Sequence, residues 1–335
     1  MFNSDTILRD MNSLVSSYIN CWKKGENRFI TPAQPTGIDG KNLLLADNFT
    51  DCEARYLLFR KLDEQSKQLV PRYRIEELPY EVVIRLPILL TRSLRAQSVC
   101  FDHRVLWSWI AQLFTNITRI GTVQDAALSD RELIETFELL VSLELANLSK
   151  PPINSDAYRL NQVIDIVVSW HVRRIVDNKY KLALTLSFPT LERVLRNKCS
   201  SYVDNGGKVL RSFSVKGKKY NVKDRISSME HLLYLYEENI APPDFKKLVE
   251  DFKAELLEIF PNKKDAYDLL YSWRNDQLHG GELDQTYHAV LLNLASLFLL
   301  DSLKQVYERL RSLEKNSAMR SIANTPWNFY PPELF

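Results

Sequence analysis

Apolar residues recur at three- and four-residue spacing through much of this chain, and glycine rarely interrupts them: there are nine in 335 residues. Sheet-rich folds need many tight turns, and glycine takes left-handed turn conformations without steric penalty. Scarce glycine with helical periodicity therefore predicts an all-α protein. Apolar residues make up 45% of the chain and charged ones 26%, enough to bury a sizeable core in two domains of ordinary size.

Helices are expected over about 51–69, opened by Thr50 and Asp51 as caps, and within 80–98, where Pro87 should break or kink the chain. Another is expected over 104–118. The next opens at Ser129-Asp130-Arg131-Glu132, which reads as a capping box, and ends before Pro151-Pro152. A further one after Ser155 carries Leu160, Val163, Ile164, Val167 and Val168. Trp107, Trp109 and Trp170 fall at spacings that suit a core. His103 and His171 lack the partners of a metal or catalytic site. This region, residues 1–180, forms an N-terminal helical part whose role is not legible in its residues.

The texture changes near Asp177. A helix is expected from Pro189 to Asn197. Phe213, Val215, Tyr220 and Val222 then flank Lys216-Gly217-Lys218, the pattern of a small inserted β-hairpin over 209–222. Helical signal returns over 223–238, 244–259, 264–279 and about 283–313. Residues 316–335 form a Pro- and aromatic-rich tail containing Pro326-Trp327-Asn328-Phe329-Tyr330-Pro331-Pro332, expected to dock on the body.

Net charge is only +2, but its distribution is uneven. Ten Lys or Arg lie between Arg193 and Arg225, against Asp204 and Asp224. Such a stretch can hold a polyanion, because each cation near a phosphate releases counterions; a solvated, charge-rich loop is the plain alternative. The four cysteines are widely spaced, which excludes the usual zinc patterns and predicts no disulfide framework, so a reducing cytoplasmic setting is expected. No metal or cofactor is expected. Residues 1–10 lack the pattern of a signal peptide. The longest apolar run, 289–300, is too short to span a bilayer, and no membrane partner is expected.

The segment Arg274-Asn275-Asp276-Gln277-Leu278-His279-Gly280 carries the chemistry. Asp265 can cap a helix presenting Ala266, Leu269, Leu270 and Trp273 on one side, and Gly280-Gly281 is a natural stop. His279 then sits in the last turn, where the helix dipole favours a charged imidazole. Arg274 lies about 7.5 Å away along the axis, within partial reach of a guanidinium. A histidine can move a proton to or from a ribose hydroxyl, and an arginine can stabilise charge growing on a phosphorane. A bare Arg followed closely by His has little specificity: Arg225 and His231 make a second loose match.

The fuller context is more specific, with Arg followed by Asn, His by Gly-Gly, and a long apolar helix after the motif. It resembles HEPN domains of the Apea-like kind, many of which carry RN-x-x-x-HG; Arg274, Asn275, His279 and Gly280 match it. The resemblance covers about 184–315. It implies a helical bundle that forms a homodimer, with two motifs meeting in one composite site. It also implies a metal-independent endoribonuclease of a prokaryotic defence or toxin system, with RNA as substrate and a regulatory or antitoxin protein as a further partner. Carried over, Arg274 would orient the scissile phosphate, His279 would do acid–base chemistry, and Asn275 would position groups at the dimer seam. Glu192 lies on the first helix of this domain, where relatives often place a polar residue facing the motif. It joins Lys216, Lys218 and Lys219 as a candidate RNA-binding residue. His288 is read as a partly exposed surface residue, and Tyr271, Trp273 and Tyr287 as packing aromatics. The same features leave open a non-catalytic module for dimerisation, or for nucleotide or RNA binding.

Overall fold

The computed structural model describes residues 3–28, 49–65, 69–121, 124–145, 179–226, 228–278 and 286–321. The expected helix after Ser155, Trp170, His171, His279 and the Pro-rich part of the tail lie outside the described residues.

The described chain is predominantly helical, as its periodicity predicts. Helix α1 (Ser4–Lys23) packs on α2 (Asp51–Tyr56) and α4 (Leu86–Ser93). The helix expected over 51–69 stops at Tyr56. Thr50 and Glu53 close a capping box at its start, but Leu57 turns extended and the Asp102 carboxylate accepts the N–H groups of Leu58 and Phe59 at 2.8 and 3.4 Å. Those bonds replace helical partners, and the chain enters a two-stranded antiparallel ribbon, β1 (Arg60–Leu62) and β2 (Leu69–Pro71). Pro87 breaks the next segment into α3 (Tyr80–Val83) and α4, in whose first turn it sits.

Helix α5 (Phe101–Thr115) buries Trp107 and Trp109. Ser129 is not the cap of the following long helix. It ends a short helix, α6 (Ala126–Ser129), and Asp130 caps α7 (Arg131–Leu145) by accepting Leu133 N–H at 3.2 Å. Helix α8 (Lys179–Lys198) starts ten residues before Pro189, which lies inside it. Next comes the expected hairpin, β3 (Phe213–Val215) and β4 (Lys218–Tyr220), with Phe213 opposite Tyr220. Helical structure resumes at Met229, later than expected, because Lys223 is left-handed (φ 80°) and Lys208 bridges to Arg225. Helix α9 (Met229–Leu235) ends in a π turn, Tyr236–Ile240. Then follow α10 (Pro243–Ile259), α11 (Ala266–Leu278), α12 (Thr286–Leu303) and α13 (Tyr307–Ser321). The break at 304–306 divides what reads as one long helix, and α13 continues into the segment expected as tail.

Helix α12 is the centre of the fold. It is buried on nearly every side and packs against α4, α5 and α8, so residues from both sides of position 180 share one core. Asn293, on α12, accepts from Trp107 Nε1 at 3.0 Å and donates to Thr91 at 3.1 Å, satisfying a polar group that burial would otherwise penalise. The whole helix is long and apolar enough to cross a membrane, and here protein surrounds it. His288, expected at the surface, is buried, with Nε2 2.8 Å from Oε1 of the equally buried Glu144.

The expectation of unpaired cysteines is also overturned. Cys21 at the end of α1 and Cys52 at the start of α2 form a disulfide, since the packing of these two helices brings their Cα atoms to 5.7 Å. Cys100 and Cys199 are free and buried. The inference of a reducing compartment from unpaired thiols loses that footing.

Candidate active site around Arg274

Helix α11 is fixed at its start by Asp265, whose Oδ1 accepts the N–H groups of Tyr267 and Asp268 at 2.8 and 3.0 Å. Its apolar side buries Ala266, Tyr267, Leu269, Leu270 and Trp273. Trp273 stacks on Tyr287 with ring centroids 4.0 Å apart and takes the edge of Phe260 at 5.1 Å. These contacts pin the helix one residue before Arg274. Tyr271 faces outward, and Trp273 and Tyr287 serve as packing.

Arg274 is 29% exposed, and its Nη2 lies 3.2 Å from Oε2 of Glu192 on α8. Its neighbour Asp276 is exposed and is not its partner. The other oxygen of Glu192 is taken by Arg196 Nη2 at 2.6 Å, one helical turn further along α8. One carboxylate is thus shared by two guanidinium groups, with the shorter contact to Arg196. Gln277 adds a second bond between the helices, donating to Thr185 Oγ1 at 2.7 Å. Asn275 is half-buried. His279 follows one residue after the last helical position and lies outside the described residues.

Beside this contact is a cleft of about 360 Å³, lined in part by Glu132, Thr136, Glu192, Arg193, Arg196 and Asn205. Arg193 bonds Asp130 at 2.6 Å and Glu132 at 2.5 Å. Burial works to raise the Asp130 carboxyl, but hydrogen bonds from Arg193 and Asn197 outweigh it and hold the group below the usual carboxylate range. Gly207, in a left-handed conformation (φ +79°), lies directly against the Arg196 guanidinium; a side chain there would collide with it and with the Ile226 carbonyl. The β segment after α8 is therefore wedged against the arginine that holds Glu192.

The basic residues of the hairpin divide into two groups. Lys216 is held by Glu230 at 2.7 Å and Asp268 at 2.6 Å and lies over the Tyr234 ring. Desolvation disfavours its charge, but those two carboxylates raise its pKa well above the ordinary lysine value. It ties the hairpin tip to α9 and α11. Lys218 and Lys219 are exposed.

The second loose Arg–His pair gives no comparable site: His231 Nδ1 faces the Tyr220 hydroxyl at 2.5 Å, and burial lowers its pKa. His103 is fully buried, 3.1 Å from the Cys100 sulfur. Sequence reasoning missed Arg196 and Gly207. The four-residue spacing of Glu192 and Arg196 was a signal for the first; nothing local marked the second.

Among the described residues, no three His, Cys, Asp or Glu side chains converge as metal ligands. The arrangement at Arg274 can bind an anion, because one guanidinium nitrogen meets Glu192 while the group stays partly open to solvent. Comparison with family models, curated proteins and solved structures finds no match to this chain.

Proposed function

We propose that this protein is a metal-independent endoribonuclease of HEPN type, acting as a homodimer in a prokaryotic defence or toxin system. The observation that carries the reading is the state of Arg274: anchored through Nη2 to a shared carboxylate, partly exposed, and placed near the end of α11, five residues before His279. An arginine held this way is oriented and keeps N–H donors for phosphate oxygens. His279 would take the proton from the ribose 2′-hydroxyl as it attacks phosphorus, and return a proton to the departing 5′-oxygen. Arg274 would stabilise the charge on the phosphorane. The products would be a 2′,3′-cyclic phosphate and a 5′-hydroxyl. Asn275 would order the seam between two copies.

The test is RNA cleavage in the presence of EDTA by wild-type protein and by Arg274→Ala and His279→Ala. Fragments with 5′-hydroxyl ends should form with the wild type and disappear with both variants while the fold persists. His279→Ala protein that cuts RNA at the wild-type rate would remove this chemistry.

A second reading, a non-catalytic helical module, draws on the same contact: an arginine paired with a carboxylate on the next helix can be simply structural. It gives no fragments under any of these conditions. Nucleotide binding, its variant, would show as saturable thermal stabilisation.

A further inference from the structure

The β segment after α8 carries a surface that the cleavage chemistry does not use. The bridge between Lys208 and Arg225 and the pairing of Phe213 with Tyr220 share one antiparallel register. Between them Val209 bonds both Asp224 and Lys223 through its backbone, at 2.8 and 3.0 Å, so Leu210 and Val222 each lie one residue beyond this joint. At this level the ribbon projects: residues 210–212 and 221–225 are all exposed. Leu210 is 51% and Val222 54% exposed, both large for aliphatic side chains.

Around them stand Lys208, Arg211, Lys218, Lys219, Lys223 and Arg225, and among the described residues none of the six has an ion-pair partner. The acidic groups within the segment are already engaged. Asp204 accepts the Lys208 backbone N–H at 2.7 Å and Asp224 accepts that of Asn221 at 2.7 Å. These two carboxylates stand against six cations, so positive charge is in excess by four. The aromatic faces are covered: Arg211 lies 5.0 Å over the Tyr202 ring, Lys218 4.8 Å over Tyr220, and Phe213 is buried.

We propose that this projecting ribbon docks on an anionic phospholipid surface, with Leu210 and Val222 entering the headgroup boundary and the six cations facing lipid phosphates and carboxylates. Single-stranded RNA would use the cations, but its bases would find no open aromatic face here to stack on, and it has no use for two protruding aliphatic groups. Aliphatic side chains ringed by Lys and Arg suit a bilayer interface, where apolar burial and attraction to acidic lipid act together. This is attachment to a membrane surface rather than a span, and it is independent of the cleavage reading.

The experiment is flotation of the full chain with vesicles of phosphatidylcholine alone, and with vesicles containing about one-third phosphatidylserine. Wild-type protein should float with the second kind only, and high salt should release it. Leu210→Ser with Val222→Ser, and separately Lys208→Glu with Lys219→Glu, should each lower binding about tenfold or more. All four positions are exposed, and circular dichroism checks each fold. Failure to float on acidic vesicles, equal flotation on both kinds, or binding untouched by both pairs of substitutions would overturn the proposal. So would loss, in the charge-reversed protein, of binding to a single-stranded RNA oligonucleotide when the wild type ignores vesicles; that result would assign the ribbon to nucleic acid.

Discussion

Asp102 and His103 stand side by side in the first turn of α5, both sealed from water, and burial drives their protonation in opposite senses. The carboxyl is pushed up to about 7, although bonds from the Leu58 and Phe59 N–H groups pull against this; the imidazole is pushed down to about 3. Each is held towards its neutral form, as a low-dielectric interior demands.

The pair should make opposing contributions to stability. From about pH 4 to 7, folded Asp102 binds more proton than its unfolded form, so its contribution declines as pH rises. From about pH 3 to 6.5, unfolded His103 binds more proton than its folded form, so its contribution grows as pH rises. The two offset each other between about pH 4 and 6.5 in the wild type. Asp102→Asn should leave the histidine's rising slope, and His103→Gln the carboxyl's falling one, each up to about 1.4 kcal/mol per pH unit. Urea denaturation across that window measures both slopes; parallel slopes in the two variants would refute the offset.

Sharing of Glu192 sets an order of coupling strengths. Its contact with Arg196 is short and poorly exposed; that with Arg274 is longer and more open. Double-mutant cycles should give about 1 kcal/mol for Glu192 with Arg196 and about half that for Glu192 with Arg274. The reverse order would mean that Arg274 is the more tightly held of the two.

Gly207→Ala should destabilise by about 2–4 kcal/mol, from the left-handed backbone and the collision together. The measurement is the shift in denaturation midpoint. A change smaller than that of an alanine substitution at Gly25, whose added carbon meets nothing, would contradict the close packing.

Titration of thiols in denaturant without reductant should find two, Cys100 and Cys199. Finding four would remove the disulfide. Cys21→Ser should cost about 2–4 kcal/mol, from the loop that a bond between positions 31 residues apart closes.

Much of the helical architecture was legible because local rules governed it: the cap at Thr50, the break at Pro87, the core spacing of Trp107 and Trp109, and the turn at Gly217. Where the reading failed, a distant group had intervened. The helix after Thr50 ended early because a carboxylate from position 102 bonded its backbone. Cys21 and Cys52 met because two helices packed, which no spacing announces. His288 was misjudged because its partner, Glu144, lies on a helix far back in the chain. At the candidate site, Arg274 could be singled out from its motif, and the four-residue spacing of Glu192 and Arg196 was visible. That Arg196 also rests on Gly207 could not be seen, since the close approach joins two segments with no pattern in common.

The position of α12 bears on how this protein can be divided or rearranged. Its apolar surface is covered by helices from both halves, so a piece beginning near residue 184 would present an uncovered greasy flank to chaperones and proteases. Residues 1–180 alone would lack the stave around which they close. Recombination that joins either part to a foreign partner should therefore yield insoluble chimaeras, since each part leaves one side of a shared core bare.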